Sequence, residues 1–232
     1  NDLEAHYQFI TLGLSASLNK RDNLDRSYAV LTKQALLGQN ESYAKALRLI
    51  IENVSNQNND KALPQALALL KPMTLSGLNP AMRDLLMAYI YHQQFRASKS
   101  GFRYNKDLFQ KAHFHYMMAL DLGRFNTRIS ASVWENLAWL NFEVRQYALS
   151  SDFFLKRSQL PFADINAEAN IRWSYARSLF YNNQAHLAWK QAEIALTLAK
   201  KSSTLEATPF IGQFLTSENS LRSIIRRSHP TQ

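Results

Sequence analysis

The chain has 232 residues, of which 46% are hydrophobic, so it is long enough to bury a sizeable core. It contains no cysteine, which excludes disulfides, thiolate metal sites and cysteine nucleophiles. Only 6 Gly and 6 Pro occur, which is low for an all-β chain rich in turns. The formal net charge is +9, and residues 81–130 contribute +5 of it with 8 basic and 3 acidic residues.

Hydrophobic periodicity predicts helices along nearly the whole chain. In chain order they cover residues 3–19, 24–37, 41–55, 61–71, 80–96, 106–122, 132–144, 147–158, 166–182, 185–200 and 217–228. Asn79 before Pro80 fits an N-cap followed by the first helical residue, and Ser132-x-x-Glu135 fits a capping box. Turn residues separate the helices, and no strand-like alternation competes. The sequence therefore predicts an all-α chain of antiparallel hairpins.

The start of the chain bears on its compartment. The longest uncharged run there, residues 5–19, is shorter than the roughly 20 apolar residues that span a bilayer, so we expect no transmembrane segment in this chain. Because the sequence begins with Asn1 rather than Met, we expect that an upstream signal, anchor or domain has been removed. This favours an exported, periplasmic or membrane-tethered bacterial protein, with a cytoplasmic protein as the alternative.

A spacing of 3, 4 and 3 residues recurs in three predicted helices. It relates Phe109, Ala112, Tyr116 and Ala119, then Tyr147, Ser150, Phe154 and Arg157, then Ala185, Ala188, Ala192 and Ala195. Ala138 lies twelve residues before Ser150, and Ala176 lies twelve before Ala188. Only small side chains fit where two helix backbones approach most closely, because a larger one costs about 1–3 kcal/mol in overpacking. These residues therefore predict seams between paired helices.

The same positions resemble the tetratricopeptide repeat family over residues 80–200. The clearest stretch is 131–161, where the signature positions or their neighbours hold Trp134, Leu137, Ala138, Tyr147, Phe154 and Pro161. Arg157 departs from the pattern, because the family prefers alanine there. The steps from Ala112 to Ser150 to Ala188 are 38 residues each, against a usual 34. The resemblance implies an α-solenoid of antiparallel helical hairpins, with a related helical-hairpin solenoid as the alternative.

The predicted organisation is a single helical-repeat domain over residues 1–232. Residues 1–79 hold weakly matching N-terminal hairpins, residues 80–200 the clearer repeats, and residues 201–232 a loop and a C-terminal capping helix. The last hairpin of a solenoid exposes an apolar face that has to be covered. The predicted helix 217–228 has one apolar stripe and suits that role, with a basic membrane-surface helix as the alternative.

The resemblance also implies that the first helix of each hairpin lines a concave groove, which binds a peptide or another protein. The register assigns to this groove Tyr89, His92, Glu135, Asn136, Trp139, Phe142, Trp173, Arg177 and Phe180. A face this aromatic suits apolar or mixed peptides. Asn136 and Arg177 match only part of the carboxylate clamp of some family members. Core packing between hairpins is the alternative role for Trp139 and Trp173.

Residues 95–106 form a second candidate surface, for an anionic partner. Its basic residues are Arg96, Lys99, Arg103 and Lys106. Aromatic rings lie between them, a combination that binds anions through charge and stacking. The favoured alternative is that the flanking helices run longer and the rings anchor their ends. A nucleic-acid-binding helical repeat that uses the basic 81–130 region is the alternative function, although nucleic acid is not the expected partner because such a charge excess more often serves solubility.

No catalytic, cofactor or metal chemistry is indicated. The chain lacks a Gly-x-Ser-x-Gly motif, a P-loop and a Gly-x-Gly-x-x-Gly motif. On a helix, His113 and His115 point about 200° apart, so one metal ion could not easily bind both. His92 could approach one of them, but no acidic residue is expected beside them. We therefore expect no enzyme and no cofactor, but a protein-interaction scaffold, adaptor or partner-sensing domain.

Overall fold

A computed structural model describes residues 61–71, 80–100, 103–123, 125 and 127–201, together with positions 45, 46, 49, 50 and 53. The predicted helices 3–19, 24–37 and 217–228 and the predicted N-cap Asn79 lie outside these residues. The described part of the chain is helical, and its only β-type pairing is the isolated bridge between Ser100 and Arg103. The prediction of an all-α chain is thus confirmed for these residues. The chain divides into two compact units, Asn1–Arg124 and Phe125–Gln232.

Seven helices have both ends within the described residues. They are α1 (Ala62–Leu70), α2 (Pro80–Ser98), α3 (Lys106–Leu122), α4 (Thr127–Glu143), α5 (Tyr147–Ser158), α6 (Ile165–Tyr181) and α7 (Ala185–Lys201). All except α4 agree with the predicted helices to within two residues at each end. Within the described residues, no helix is both long enough and apolar enough to cross a bilayer.

Helix α4 begins earlier than the sequence predicted. It starts at Thr127, so Ser132 and Glu135 lie inside the helix and the predicted capping box is wrong. The carbonyl of Ser132 accepts a hydrogen bond from the side-chain amide of Asn136 at 2.9 Å, one turn further along. Ile129 is buried upstream of the predicted start and extends the apolar face of the helix. This packing sets the start, because most helical stability in proteins comes from burial of an apolar face.

In the first unit, α2 and α3 form an antiparallel hairpin, and α1 packs against α2. The pairing of Asp84 with His115 and of Phe95 with Phe109 shows that the two helices run in opposite directions. The α3 stripe that the 3, 4, 3 spacing predicted is the buried face of this helix. The helix starts at the N-cap Asn105, whose side-chain oxygen accepts a hydrogen bond from the backbone N–H of Leu108 at 3.2 Å.

In the second unit, α4 packs against α5, α5 against α6, and α6 against α7. The hydroxyl of Ser150 donates a hydrogen bond to the carbonyl of Ala138 at 2.9 Å, which confirms the predicted contact between these small residues. Between α6 and α7 lies a seam of small side chains, each almost completely buried, which we call the alanine seam: Ala176, Ala192, Ala195 and Ala199. Trp173, Trp189 and Leu196 pack against it.

The turn between α4 and α5 has the same backbone conformation as the turn between α6 and α7. Arg145 has φ 64° and Asn183 has φ 60°, and the two residues are 38 positions apart. The hydrogen bonds are Gln146 to Asn141 and Arg145 to Phe142 in the first turn, and Gln184 to Leu179 and Asn183 to Phe180 in the second. A left-handed residue with this pair of bonds is a Schellman motif. The 38-residue step read from the sequence is therefore present in the backbone of these hairpins.

Arg157, where the tetratricopeptide pattern prefers alanine, connects α5 to the loop that follows it. Its guanidinium lies 3.7 Å from the carboxylate of Glu135, donates to the carbonyls of Leu160 and Pro161 at 3.4 Å, and covers the ring of Phe162 at 4.4 Å. Burial raises the pKa of the Glu135 carboxyl, and the charge of Arg157 opposes this shift. A long side chain at this position thus fixes the path from α5 to α6.

Candidate functional site

A continuous cluster of rings with one arginine lies on α4, α5 and α6 of the second unit. We call it the aromatic surface, and its members are Trp139, Phe142, Tyr147, Arg177, Phe180 and Tyr181. The ring of Phe142 contacts the rings of Trp139, Tyr147 and Tyr181, with centroids 5.4–5.9 Å apart. Tyr147 and Tyr181 stack with centroids 4.9 Å apart. Such contacts between rings contribute about 0.5–1.5 kcal/mol each beyond area burial.

The helix geometry brings these side chains together. Trp139 and Phe142 are three residues apart on α4, and Arg177 and Tyr181 are four apart on α6, so each pair shares one helix face. The tight turn after α4 places Tyr147, the first residue of α5, beside Phe142. Phe180 joins through its contact with Tyr181, at 5.5 Å between centroids. The surface therefore depends on three helices and on the Schellman turn that joins two of them.

The members of the aromatic surface differ in exposure. Tyr181 is 50% exposed, whereas Trp139, Phe142, Tyr147 and Phe180 are partly buried. Trp139 also meets the fully buried ring of Phe154 edge to face at 5.6 Å, so it contributes to the core between α4 and α5 as well as to the surface. Tyr181 is the member that a partner can reach with the least disturbance of the fold.

Arg177 supplies the one positive charge of the aromatic surface. Its guanidinium lies over the face of the Phe142 ring, 5.1 Å from the centroid. The guanidinium forms this cation–π contact without an ion pair to any carboxylate of the described residues, so its N–H groups can donate to a ligand. Arg172, on the same helix, instead binds Glu168 and Gln191. Chemically, the surface offers flat apolar area next to a donor group suited to carboxylates.

Four of the nine predicted groove residues belong to the aromatic surface: Trp139, Phe142, Arg177 and Phe180. Three others in the second unit have different surroundings. Trp173 packs against the alanine seam, Glu135 pairs with Arg157, and the side chain of Asn136 donates to its own helix. The register of a repeat places residues on the same helix face, but it does not show which neighbours cover them.

The two predicted groove residues of the first unit are Tyr89 and His92. His92 is completely buried, and its Nδ1 lies 3.2 Å from the hydroxyl of Tyr116 on α3. Tyr89 is partly buried, and desolvation raises the pKa of its hydroxyl well above the usual range, so it stays neutral at physiological pH. In this structure His92 therefore fills the core of the hairpin, and it does not line a surface.

Two members of the aromatic surface were not assigned to the groove from the sequence. The sequence predicts that Tyr147 is a seam residue, because it opens the second 3, 4, 3 series, and it does not assign Tyr181 to the groove. A signal for Tyr181 does exist in the sequence, because it follows Arg177 by four residues and Phe180 by one at the end of a helix. The stacking of the two tyrosines could not be read from the sequence, since it depends on how α5 meets α6.

The predicted anionic-partner surface lies at the turn between α2 and α3. Its four basic residues, Arg96, Lys99, Arg103 and Lys106, are all exposed. Helix α2 runs two residues beyond its predicted end, and the buried ring of Phe95 packs against Tyr104 and Phe109 at 5.8 and 6.1 Å. These described rings of the segment thus anchor the helix ends, while its positive charges face solvent.

The two histidines of α3 point in different directions, as their spacing predicted. The Nδ1 of His115 lies 2.6 Å from the carboxylate of Asp84, and its ring stacks on Tyr91, whereas His113 lies against Phe109. The expectation that no acidic residue would lie beside these histidines is therefore wrong, since α2 brings Asp84 across the hairpin. Among the described residues no group of three metal-binding side chains occurs.

We expect His113 to make the protein less stable in mild acid. Burial lowers the pKa of its imidazole below the ordinary value of 6.5, so the folded state binds a proton less readily than the unfolded state. The contribution of His113 to stability is thus present above about pH 6.5 and is lost as the pH falls through the lowered pKa. Thermal unfolding of the native chain and of His113→Gln, measured at about pH 7.5 and about pH 5.5, checks this.

The native chain should lose more thermal stability between these pH values than His113→Gln loses. The pair of His115 with Asp84 is present in both proteins, so it contributes equally to both sides of the comparison. An equal loss in the two proteins would show that the environment of His113 does not favour its neutral form.

Comparison of the chain with models of known protein families and with curated proteins finds no match. The resemblance to the tetratricopeptide family therefore depends on residue register alone.

Proposed function

We propose that this chain is a protein-interaction domain of the helical-repeat type, which binds a peptide or protein segment on its aromatic surface. It acts as a scaffold, an adaptor or a partner-sensing domain and not as an enzyme. The observation that carries this proposal is the stacked pair of Tyr147 and Tyr181, which the core does not fully cover. Tyrosines in such positions supply large contact area at low entropic cost.

The repeat architecture is part of the proposal. The hairpins α4–α5 and α6–α7 share the same Schellman turn at a 38-residue interval, which supports reading them as successive repeats of a tetratricopeptide-like solenoid. The two units would then belong to one repeat domain over residues 1–232. In such an array the faces of α4 and α6 line the concave side, where a partner would contact Phe142 and Arg177.

A peptide selection tests the proposed site. Random twelve-residue peptides displayed on phage are selected on the immobilised full chain, then synthesised with a fluorescent label, and their affinities are measured by anisotropy. We expect Tyr181→Ala to raise the Kd of the selected peptides about tenfold, the effect expected of a substantial interface residue. Because Tyr181 is half exposed, its truncation should leave the circular dichroism and the melting temperature nearly unchanged.

Phe114→Ala is the matched control, since Phe114 is an aromatic residue of the first unit that is 58% exposed. Its removal should leave the affinities unchanged. The proposal fails if the selected peptides bind Tyr181→Ala as tightly as the native chain, if Phe114→Ala abolishes their binding, or if no peptide sensitive to Tyr181→Ala can be selected.

Binding of nucleic acid at the turn between α2 and α3 is the second candidate function. This function is favoured by the exposure of all four basic residues at this end of the hairpin, Arg96, Lys99, Arg103 and Lys106. Tight binding to heparin with a steep salt dependence would support this function, whereas retention that disappears at modest salt would indicate only diffuse positive charge.

A further inference from the structure

We propose that the aromatic surface selects peptides in which an aspartate or glutamate side chain lies next to a bulky apolar residue. The carboxylate binds Arg177, and the apolar side chain packs against Tyr147 and Tyr181. This inference rests on the proposed function and specifies its ligand. It comes from the surroundings of Arg177, which differ from those of the other arginines on α5 and α6.

Arg157 and Arg172 have acidic partners within the chain. Arg157 lies 3.7 Å from the carboxylate of Glu135, and Arg172 lies 3.2 Å from that of Glu168. Among the described residues, no carboxylate forms an ion pair with Arg177, and its guanidinium lies over the ring of Phe142. The fold thus supplies an acidic partner to Arg157 and Arg172, whereas among the described residues it supplies none to Arg177.

The contact with Phe142 holds the guanidinium of Arg177 at the aromatic surface, where a ligand would bind. The ring of Phe142 is held by three neighbouring rings, Trp139, Tyr147 and Tyr181. A guanidinium whose neighbour is a ring and not a carboxylate retains N–H donors for bidentate binding of a ligand carboxylate. The rings around it also exclude part of the water that would weaken the ion pair. A neutral or basic peptide would leave this charge without compensation.

The position of Asn136 favours an internal acidic side chain over the carboxylate at a peptide's end. Recognition of a terminal carboxylate usually combines several donors, and Asn136 is the amide that the register places near Arg177. One N–H of its amide donates to the carbonyl of Ser132 at 2.9 Å, which holds the side chain along its own helix. Arg177 is left as the charged donor of the aromatic surface, which suits one side-chain carboxylate.

The test uses the peptides selected on the full chain, synthesised with acetylated and amidated ends so that no terminal charge remains. Each is compared with a copy in which its acidic residue is replaced by the matching amide. Affinities are measured for the native chain, for Arg177→Gln, and for Lys190→Gln, which removes one exposed charge elsewhere. Circular dichroism and thermal melting check that each variant is folded.

We expect most selected peptides to carry Asp or Glu within two residues of a bulky apolar side chain. Arg177→Gln should raise the Kd of the acidic peptides about tenfold and the Kd of their amide copies less than twofold. Such a difference is the coupling expected of a direct ion pair. Lys190→Gln should leave the affinities of both the acidic peptides and their amide copies unchanged. If a selected peptide binds with a free C-terminus but not with an amidated one, the carboxylate that is recognised belongs to the peptide terminus, and the inference is overturned.

Other outcomes separate this inference from the proposed function. If selected peptides lose affinity with Tyr181→Ala but bind Arg177→Gln normally, the surface binds peptides without the acidic preference and only the inference fails. An equal effect of Arg177→Gln on acidic and amide peptides would also overturn it. If Tyr181→Ala has no effect on any peptide, the proposed site itself is wrong.

Discussion

Phe154→Ala is expected to lower the free energy of unfolding of the second unit by about 3–5 kcal/mol, the usual cost of truncating a buried phenylalanine. Phe154 is 0% exposed and meets the ring of Trp139 edge to face. The substitution removes the ring from the contact between α5 and α4 and leaves a cavity that neighbouring backbone cannot fill. All four tryptophans of the chain, at positions 134, 139, 173 and 189, lie in this unit, so their fluorescence reports its unfolding in urea.

The next residue provides the control, because Leu155 is 43% exposed and faces away from the core. Leu155→Ala should change the free energy of unfolding by no more than about 0.5 kcal/mol, as is usual for surface positions. Equal destabilisation of the two variants would contradict the assignment of Phe154 to the buried face of α5 and of Leu155 to its exposed face. It would also contradict the 3, 4, 3 register that includes Phe154.

Ala192→Leu is expected to lower the free energy of unfolding by about 2–3 kcal/mol, which is towards the upper end of the usual effect of overpacking. Ala192 lies in the alanine seam, where the backbones of α6 and α7 approach and the side chains of Ala176 and Ala195 are completely buried. A leucine there can fit only if the helices separate or neighbouring side chains leave their preferred rotamers. Urea denaturation followed by tryptophan fluorescence measures the loss.

Lys190→Leu is the matched substitution on the exposed side of α7. Leucine and lysine have similar helix propensities, so this variant introduces the same side chain without altering the intrinsic stability of the helix. It should unfold at nearly the same urea concentration as the native chain. Tolerance of leucine at both positions would mean that the seam is wide enough for larger residues and that alanine there has no packing role.

The small residues allowed the sequence to predict much of the helix pairing. The sequence predicts a contact between Ser150 and Ala138 because both are small and twelve residues apart, and the hydroxyl of Ser150 donates a hydrogen bond to the carbonyl of Ala138. Such a contact is predictable because close backbone approach excludes most residue types. The start of α4 was less predictable, since Ser132-x-x-Glu135 fits both a capping box and a helix interior, and only the burial of Ile129 distinguishes them.

The candidate site was predicted only in part. The sequence predicts that Phe142 and Arg177 line one groove, and the structure brings them into contact. It could not show that Glu135 would pair with Arg157, because this contact depends on an arginine at a position where the repeat pattern prefers alanine. Nor could it show that His92 would be buried, since a histidine suits a surface or a core equally well until its neighbours are known.

The identical turns at Arg145 and Asn183 have a consequence for how the length of this chain can change. Excision of residues 146–183 would join Arg145 to Gln184 and place Ala188 twelve residues after Ala138, in the position that Ser150 now holds. The junction would need no new backbone conformation, because the left-handed residue and its hydrogen bonds are the same on both sides. Recombination at this point can therefore add or delete 38 residues at a time while every remaining helix keeps its caps.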